Sequence, residues 1–473
     1  MGDAVSSVRP KETVREPPSG ADAPRDSAHR AERETAELSE RAVELARHYG
    51  GKMEVVPRVP IRSLADFSYW YTPGIAQVSR EIQRDPDLSF ELTGRWNTIG
   101  IVTDGSRVLG LGDVGPRAAL PVMEGKALLF KYLGGVDAFP LPIQVASPEE
   151  FVETVRRLEP ALGGVNMEDT ASPKCFWILD RLQATLRIPV WHDDQLGTAA
   201  ATVAGLLNAL EVTGRRIDTA RIVLLGAGAA NLATARLLRA LGADMGAMIM
   251  VDQKGILQAE REDLDELMLH NRWKYDLALE TNEIRRRGGL AEALDGADVL
   301  LAASRPDPRA VRPEWVGRMA PNPIVFALAN PDPEIWPQVA REAGAAVVAT
   351  GRSDFPNQVN NSLVFPFVFR GILDARATGI PDPVVLAAAR ELARAARVRG
   401  VTAEHILPTM DEESVFPEIA AAVATQAVEL GIARVRRSRA EFLEMATQRM
   451  TRSRRLGQWL SQNGLLPPMP PEG

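Results

Sequence analysis

A single cysteine, Cys175, stands in the 473 residues, so no internal disulfide can form and the fold does not depend on an oxidising compartment. A lone cysteine is most often a small buried hydrophobe, and no chemistry is assigned to it. Basic residues are outnumbered: 55 Lys and Arg face 62 Asp and Glu, a formal net charge of -7. That balance leaves no broad cationic face for a polyanion, and nucleic acid is not an expected partner. No apolar run reaches the roughly 20 residues of a membrane span. The longest weakly polar run, Leu196 to Leu210, contains Asn208 and stops at Glu211, and it reads as buried helix. The first residues, Met-Gly-Asp-Ala followed by Pro, Glu, Arg and Ser, lack the apolar stretch of a secretory signal. No membrane association is expected, and the cytoplasm is the expected location. No repeat of fixed period is evident.

What the chain has is ordinary globular material, 45% hydrophobic and 25% charged, in a length that suits two domains plus tails. Residues 1–35 mix Pro, Ser, Gly and both charge signs with few large apolar side chains, and are expected to be a disordered arm. Leu38, Ala42, Val43, Leu45 and Ala46 repeat at helical spacing, which predicts an amphipathic helix over 36–49. Ile99 to Thr103 and Val108 to Leu111 flank Asp104-Gly105, and read as two strands of a hairpin. A helix is expected near Pro121 to Tyr132, a strand over Ala138 to Val145, and a second helix opened by Ser147-Pro148-Glu149-Glu150. After Arg216 strands alternate with helices, the strands falling at 222–225, 247–251, 299–303, 324–327 and 346–349. That rhythm belongs to a parallel α/β sheet. Residues 383–455 carry helical spacing, and the proline-rich end beyond 455 is expected to fray.

One turn in that rhythm has chemistry attached. The strand ending at Leu225 runs straight into Gly226-Ala-Gly228-Ala229-Ala230-Asn231 and then into a helix, the setting of a Rossmann-type dinucleotide site. Gly226 would permit the tight turn, and Gly228 would admit a pyrophosphate to the amides at the helix start. Asp252 closes the next strand, where a carboxylate can bond the adenosine ribose. Asn231 occupies the third glycine position, which predicts a slightly wider separation of helix and strand. Asp252 favours NAD, whereas the neighbouring Lys254 would accept the extra phosphate of NADP; the reading leans to NAD.

Two acid pairs precede this turn, Glu168-Asp169 after Gly163-Gly-Val-Asn-Met and Asp193-Asp194 after Trp191-His. Paired acids are commonly solvated turns. Apolar flanks such as Val165 and Val190 favour the alternative, convergence on a hard divalent cation such as Mg²⁺ or Mn²⁺. Lys126 opens an apolar helical stretch. Its stem could simply pack while the ammonium reaches water, or burial could lower its pKa toward that of a general base. By default Tyr71 is a core or turn aromatic and Arg107 a solvated residue.

Taken in order, these stretches resemble the malic enzymes of the shorter bacterial and archaeal type, from about Ala36 to Gly379. The matching segments are Tyr71-Thr-Pro-Gly-Ile-Ala, Thr103-Asp-Gly-Ser-Arg-Val-Leu-Gly-Leu-Gly-Asp, Pro121-Val-Met-Glu-Gly-Lys, Asn166-Met-Glu-Asp, His192-Asp-Asp-Gln, Ala329-Asn-Pro and Thr350-Gly-Arg-Ser-Asp-Phe-Pro-Asn-Gln-Val-Asn-Asn. The resemblance implies a substrate and metal domain over 36–200, a dinucleotide domain over 201–379, helices over 380–455 completing the first domain, and a flexible tail over 456–473. It further implies Glu168, Asp169 and Asp194 as metal ligands, with Asp193 coupled to Lys126. Lys126 is implied as the base, Tyr71 as the acid and Arg107 as the grip on a malate carboxylate. Asn330, Asn360 and Asn361 are implied to line the nicotinamide and malate pocket. The implied reaction takes malate to pyruvate and CO₂ with reduction of NAD or NADP, in a homodimer or larger assembly.

The chain departs from the family at Leu196, where Gln or His is usual, and at Met167 and Thr170, where Leu and Ile are usual; the long N-terminal arm is extra. Three other outcomes stay open at this point: a malolactic-type enzyme that retains its nicotinamide and releases lactate, an enzyme for another 2-hydroxy acid, and a nucleotide-binding regulatory homologue without turnover.

Overall fold

A computed structural model describes residues 37–108 and 110–471; the expected arm at 1–35 lies outside them. The chain divides into two compact units, one of Met1–Lys52 with Gly464–Gly473 and one of Met53–Asn463. In the first, the expected amphipathic helix forms over 37–49. His48 Nε2 lies 3.2 Å from the Pro468 carbonyl, and the Tyr49 hydroxyl donates to that of Pro467 at 3.4 Å.

The larger unit is built on two sheets. Strands β1 (Thr98–Thr103), β2 (Asp137–Pro142), β3 (Gly164–Met167) and β4 (Val190–His192) form the first, in the order β2-β1-β3-β4 and parallel throughout. The second contains β5 (Ile222–Leu225), β6 (Ile249–Asp252), β7 (Gly255–Ile256), β8 (Val299–Ala302), β9 (Ile324–Ala327) and β10 (Val347–Thr350). Its order is β10-β9-β8-β5-β6-β7, parallel except for the last pair. All five strands expected after Arg216 are present, each within a few residues of its expected limits. Their side chains alternate between two cores, as a period of two requires. Ile222, Leu224, Met250, Leu301 and Phe326 join the core shared with the first sheet, and Val223, Val251, Leu300 and Val325 join a separate cluster on the opposite face.

The expected hairpin does not form. β1 pairs with β2 on one side and β3 on the other, so neither edge is open to residues 108–111. The chain still turns at Asp104-Gly105, where Gly105 takes φ +69 and a Cβ would lie 2.3 Å from the Gly115 carbonyl oxygen. It then makes a loop, closed by Val108 N donating to the Gly112 carbonyl at 2.9 Å, and enters the helix Gly115–Gly134. The C-terminal helical region is three helices, Asp382–Arg399, Phe416–Glu429 and Arg439–Gln462. The last runs past the expected limit near 455, and Ser438 and Glu441 cap its start reciprocally.

The helix Phe365–Asp374 is buried along its whole length and packs on both Gly115–Gly134 and Phe416–Glu429. Gly371 makes the second contact possible: a Cβ there would lie 2.4 Å from the Ala420 carbonyl oxygen and 2.8 Å from Val423 Cβ. Gly371→Ala is therefore expected to destabilise the protein by about 1–3 kcal/mol through overpacking, read as a lower urea midpoint. An unchanged midpoint would mean that the two helices separate freely.

Candidate functional site

Parallel strands deliver their following loops to one edge of a sheet, and two such loops carry the acids. Glu168 and Asp169 follow β3, Asp193 and Asp194 follow β4, and the register sets Met167 opposite His192. Strand pairing alone therefore lays the two acid pairs side by side. Carboxylate oxygens of Glu168, Asp169 and Asp194 all lie within 4.8 Å of one another. Asp169 adopts φ 50, and its amide donates to Asp194 Oδ2 at 2.9 Å. Its carbonyl accepts from the Arg107 amide at 3.0 Å, which ties the Arg107 loop to the acids while the Arg107 side chain stays exposed.

Asp193 opens a π-helical turn, Asp193–Gly197, ahead of the buried helix Thr198–Val212. Such turns redirect side chains within a helix. Asp193 is buried; Oδ1 accepts from Trp191 Nε1 at 2.9 Å, and Oδ2 accepts from Lys126 Nζ at 2.6 Å. Gly197 packs so tightly that a Cβ would fall 2.0 Å from Asp193 Oδ1 and 3.0 Å from Asn361 Cβ. That contact also fixes Asn361 beside the turn.

Lys126 Nζ lies 3.0 Å from Glu168 Oε1 and 4.3 Å from the centre of the Phe365 ring. Burial pushes its pKa down, as expected, but Asp193 and Glu168 outweigh burial and hold it above the ordinary lysine range. Neither sequence reading of Lys126 holds: its ammonium is buried rather than in water, and with these neighbours alone its pKa is raised rather than lowered. Burial raises Glu168 well above the usual carboxylate range, against the pull of Lys126 and helped by Asp193, Asp194 and Asp169. Four carboxylates, three of them buried and Asp194 half-buried, around one ammonium leave an excess of negative charge. A divalent cation would neutralise it, and the three clustered acids are the hard oxygen donors that Mg²⁺ or Mn²⁺ takes, so the residues fit such an ion.

On the second sheet, Gly226 takes φ +98, and a Cβ would lie 2.4 Å from the Ala303 carbonyl oxygen, so the turn requires glycine. Gly228 opens the helix Ala229–Ala240 with no side chain capping it, and nothing lies within 4 Å of where its Cβ would be. The amides that follow Gly228 are thus approachable by a phosphate. At the third glycine position Asn231 bonds the helix to the strands. It is buried, its Nδ2 donates to the carbonyls of Leu225 at 2.8 Å and Gly226 at 3.0 Å, and it lies 3.3 Å from that of Leu301, which pins the helix to β5 and β8.

Asp252 sits where expected, at the end of β6, but inside a cage. Its carboxylate accepts from Arg261 Nη1 at 2.9 Å and from the Lys254 amide at 2.8 Å, and it pairs with Lys274. Burial alone would raise its pKa, and Arg261 and Lys274 bring it below the usual range. The Lys254 ammonium turns to Asp263 at 3.0 Å and Glu266 at 3.3 Å. Asn330 lies over Gly351, whose Cβ would come within 2.7 Å of Asn330 Nδ2, while Gly110 of the Arg107 loop approaches the Asn330 carbonyl. Asn360 Oδ1 accepts from the Ser362 amide at 2.9 Å.

Two family models match the chain: "Malic enzyme, N-terminal domain" over residues 50–183 and "Malic enzyme, NAD binding domain" over residues 196–428. The bifunctional malic/malolactic enzyme of Bacillus subtilis is 45% identical over 84% of this chain and 95% of its own length. The chain belongs to the malic enzyme family. The NADP-dependent malic enzyme of Halomonas elongata is 43% identical over 81% of this chain and 92% of its own. The crystal structure of Entamoeba histolytica malic enzyme superposes with a TM-score of 0.89 at 42% identity, covering 92% of this chain and 91% of that one.

Of the residues that the malic enzyme resemblance picks out, Lys126, Glu168, Asp169, Asp193 and Asp194 come together in one cluster, with Asn361 beside it. Tyr71, by contrast, is 70% exposed. Leu196, the departure from the family, is buried in the core. It takes no place among the carboxylates. A cavity of about 670 Å³ lies beside the cluster, lined by residues including Ser106, Lys174, Trp177 and Trp273. None of the four clustered acids lines it, so convergent charge rather than cavity size locates the site.

Sequence reasoning missed the residues that hold the cluster in place. His192 is fully buried, with Nε2 3.3 Å from Asp194 Oδ2 and Nδ1 2.8 Å from Gln195 Nε2. Asn166 Nδ2 donates to Glu168 Oε2 at 2.8 Å. Both open the quoted acid motifs two residues before an acid, on the same side of a strand, and that spacing is the available signal. Glu334 ties two loops of the second sheet together, accepting from the Ser304 amide at 2.6 Å and the Ala329 amide at 3.1 Å; no motif marks it. Glu168→Gln and Asp194→Asn are each expected to remove calorimetric Mn²⁺ binding, and His192→Asn to weaken it roughly 10–100-fold by releasing an acid it orients. Wild-type affinity in all three would put any bound ion elsewhere.

Proposed function

We propose that this chain oxidises and decarboxylates malate to pyruvate and CO₂, reducing a nicotinamide dinucleotide, as a homodimer or larger assembly in the cytoplasm. Residues 36–200 supply the substrate and metal part, 201–379 the dinucleotide part, and the helices over 380–455 complete the first. The observation that carries the reading is the convergence of Lys126 with Glu168, Asp169, Asp193 and Asp194 in a malic enzyme family member that also has the glycine turn at Gly226.

Glu168, Asp169 and Asp194 would hold Mg²⁺ or Mn²⁺, which supplies a Lewis acid toward the oxygen of the reacting carbon. Arg107 grips a malate carboxylate, and Asn330 and Asn361 orient substrate and nicotinamide with Asn360. Lys126 would take the hydroxyl proton, and a dinucleotide held at the Gly226 turn would supply the acceptor for the hydride. The proton affinity of Lys126 must fall for that, and Glu168, were it to hold a cation, would bind the ammonium less strongly. Asp193, fixed by Trp191, keeps the amine aimed. Tyr71 returns a proton to carbon after CO₂ departs.

The dinucleotide is NAD in this reading. At the ribose end Arg261, Lys274 and Lys254 are each paired with carboxylates from Asp252, Asp263 or Glu266, three bases against three acids. No surplus positive charge remains for a 2′-phosphate. Asp252→Ala frees Arg261 and Lys274, and is expected to move the NADP-to-NAD ratio of kcat/KM upward by on the order of tenfold or more, the worth of a hydrogen bond to a charged group. A ratio that stays put would remove the cage from cofactor choice.

Lys126→Ala is expected to abolish malate-dependent pyruvate formation while dinucleotide affinity stays near wild type. Near-normal turnover in this variant would end the role of Lys126. The relative named malic/malolactic makes lactate the product to assay alongside: lactate without free reduced cofactor would favour the malolactic reaction over the oxidative one.

A further inference from the structure

A carboxylate that no step above uses is fully buried between two loops of the second sheet: Glu334. Oε1 accepts from the Ser304 amide at 2.6 Å and from the Ser304 hydroxyl at 3.0 Å, and Oε2 accepts from the Ala329 amide at 3.1 Å. These donors are neutral, and burial pushes the pKa of Glu334 above the usual carboxylate range against their pull. Burying a carboxylate on neutral donors is costly, and ionisable groups held in that way gather at functional sites. The backbone is fixed as well. The Glu334 carbonyl accepts from the Val311 amide at 3.0 Å, and Ile335 is buried in the core.

Ser304 follows β8 and Ala329 follows β9, so both loops lie at the carboxyl edge of the second sheet, where open parallel sheets bind their ligands. The strand order reverses between β5 and β8: the chain steps outward from β5 to β6 on one side, and from β8 to β9 and β10 on the other. A crevice opens at such a reversal. Gly226 walls it on the β5 side and Ser304 on the β8 side, where a Cβ on Gly226 would lie 3.1 Å from Ser304 Cα. The Ala329 amide leads into Asn330, on which Gly351 and Gly110 of the Arg107 loop pack. Arg352 Nη1 holds the next carbonyl, that of Pro331, at 2.9 Å. One carboxylate thus joins the loop that faces the glycine turn to the loop that carries Asn330.

We propose that Glu334 is a positioning residue for the dinucleotide: its two oxygens set the spacing of the Ser304 and Asn330 loops, and with it the shape of the crevice beside the Gly226 turn. This rests on the dinucleotide part of the reading above, and adds which side chain shapes the pocket. Both the acceptor pair and its reach matter. A glutamine here turns an NH₂ group toward the Ser304 or the Ala329 amide, donor against donor, and releases that loop. An aspartate keeps the charge but falls one methylene short of spanning both loops. The clustered acids follow strands of the first sheet, so neither change alters them.

Calorimetric titration of full-length Glu334→Gln and Glu334→Asp proteins with NADH, and separately with Mn²⁺, tests this. NADH affinity is expected to fall on the order of tenfold in Glu334→Gln, and in the same direction but by less in Glu334→Asp, with Mn²⁺ affinity unchanged in both. A strut that served stability alone would lower the urea midpoint and leave the folded variants with wild-type NADH affinity. That result overturns the proposal, as does an NADH loss matched by an equal loss of Mn²⁺ affinity, or failure of both variants to fold by circular dichroism. Wild-type protein that binds NADH but turns over no malate would sink the malate reading alone, since the role of Glu334 is read from binding. Wild-type protein that binds no NADH overturns both.

Discussion

Crowded negative charge at the carboxyl ends of β3 and β4 is the constraint on which the rest of the site depends. Adjacent parallel strands in register bring Glu168, Asp169, Asp193 and Asp194 together, and like charges in a buried place repel strongly unless they are paired. Lys126 offsets one charge. The neighbouring features read as responses to the remainder: Trp191 and Asn166 donate to two of the acids, His192 lies against a third, and three acids stand spaced for a divalent ion.

That constraint also explains why the site spans two sheets. The first sheet supplies the acids and the base, and the helix Phe365–Asp374, which follows the second sheet, supplies the ring over Lys126. Asn361, just before that helix, packs against Gly197 of the acid turn. The buried helix Thr198–Val212 leads from the acid turn of the first sheet toward the first strand of the second. Charge cluster and dinucleotide turn are therefore linked through continuous core rather than through a flexible tether.

Much of this was legible beforehand because parallel sheets write a strong pattern. Apolar runs of four to six residues, separated by helical spacing and punctuated by Gly226 or the acid pairs, gave the strands of the second sheet and the positions of the acids. Properties set by distant neighbours were not legible. The hairpin at Asp104-Gly105 failed because β2 and β3 already occupy both edges of β1. Lys126 is an ammonium because two carboxylates remote in sequence outweigh its burial, and Asp252 is caged by Arg261 and Lys274 from later in the chain. Leu196 departs from the polar residue usual in the family, and it lies in the π-helical turn with its side chain in the core. Nothing local reveals that Tyr71 lies in the open, since exposure is a property of the whole packed chain.

The most direct test of the account is the dependence of malate oxidation on the ion that the acid cluster is built to hold. Pyruvate and reduced nicotinamide should form one for one from malate with Mn²⁺ or Mg²⁺ present, fall to background when the ion is chelated, and return when Mn²⁺ is restored. Undiminished turnover in the fully chelated protein, or no turnover with either ion and either dinucleotide, would contradict it.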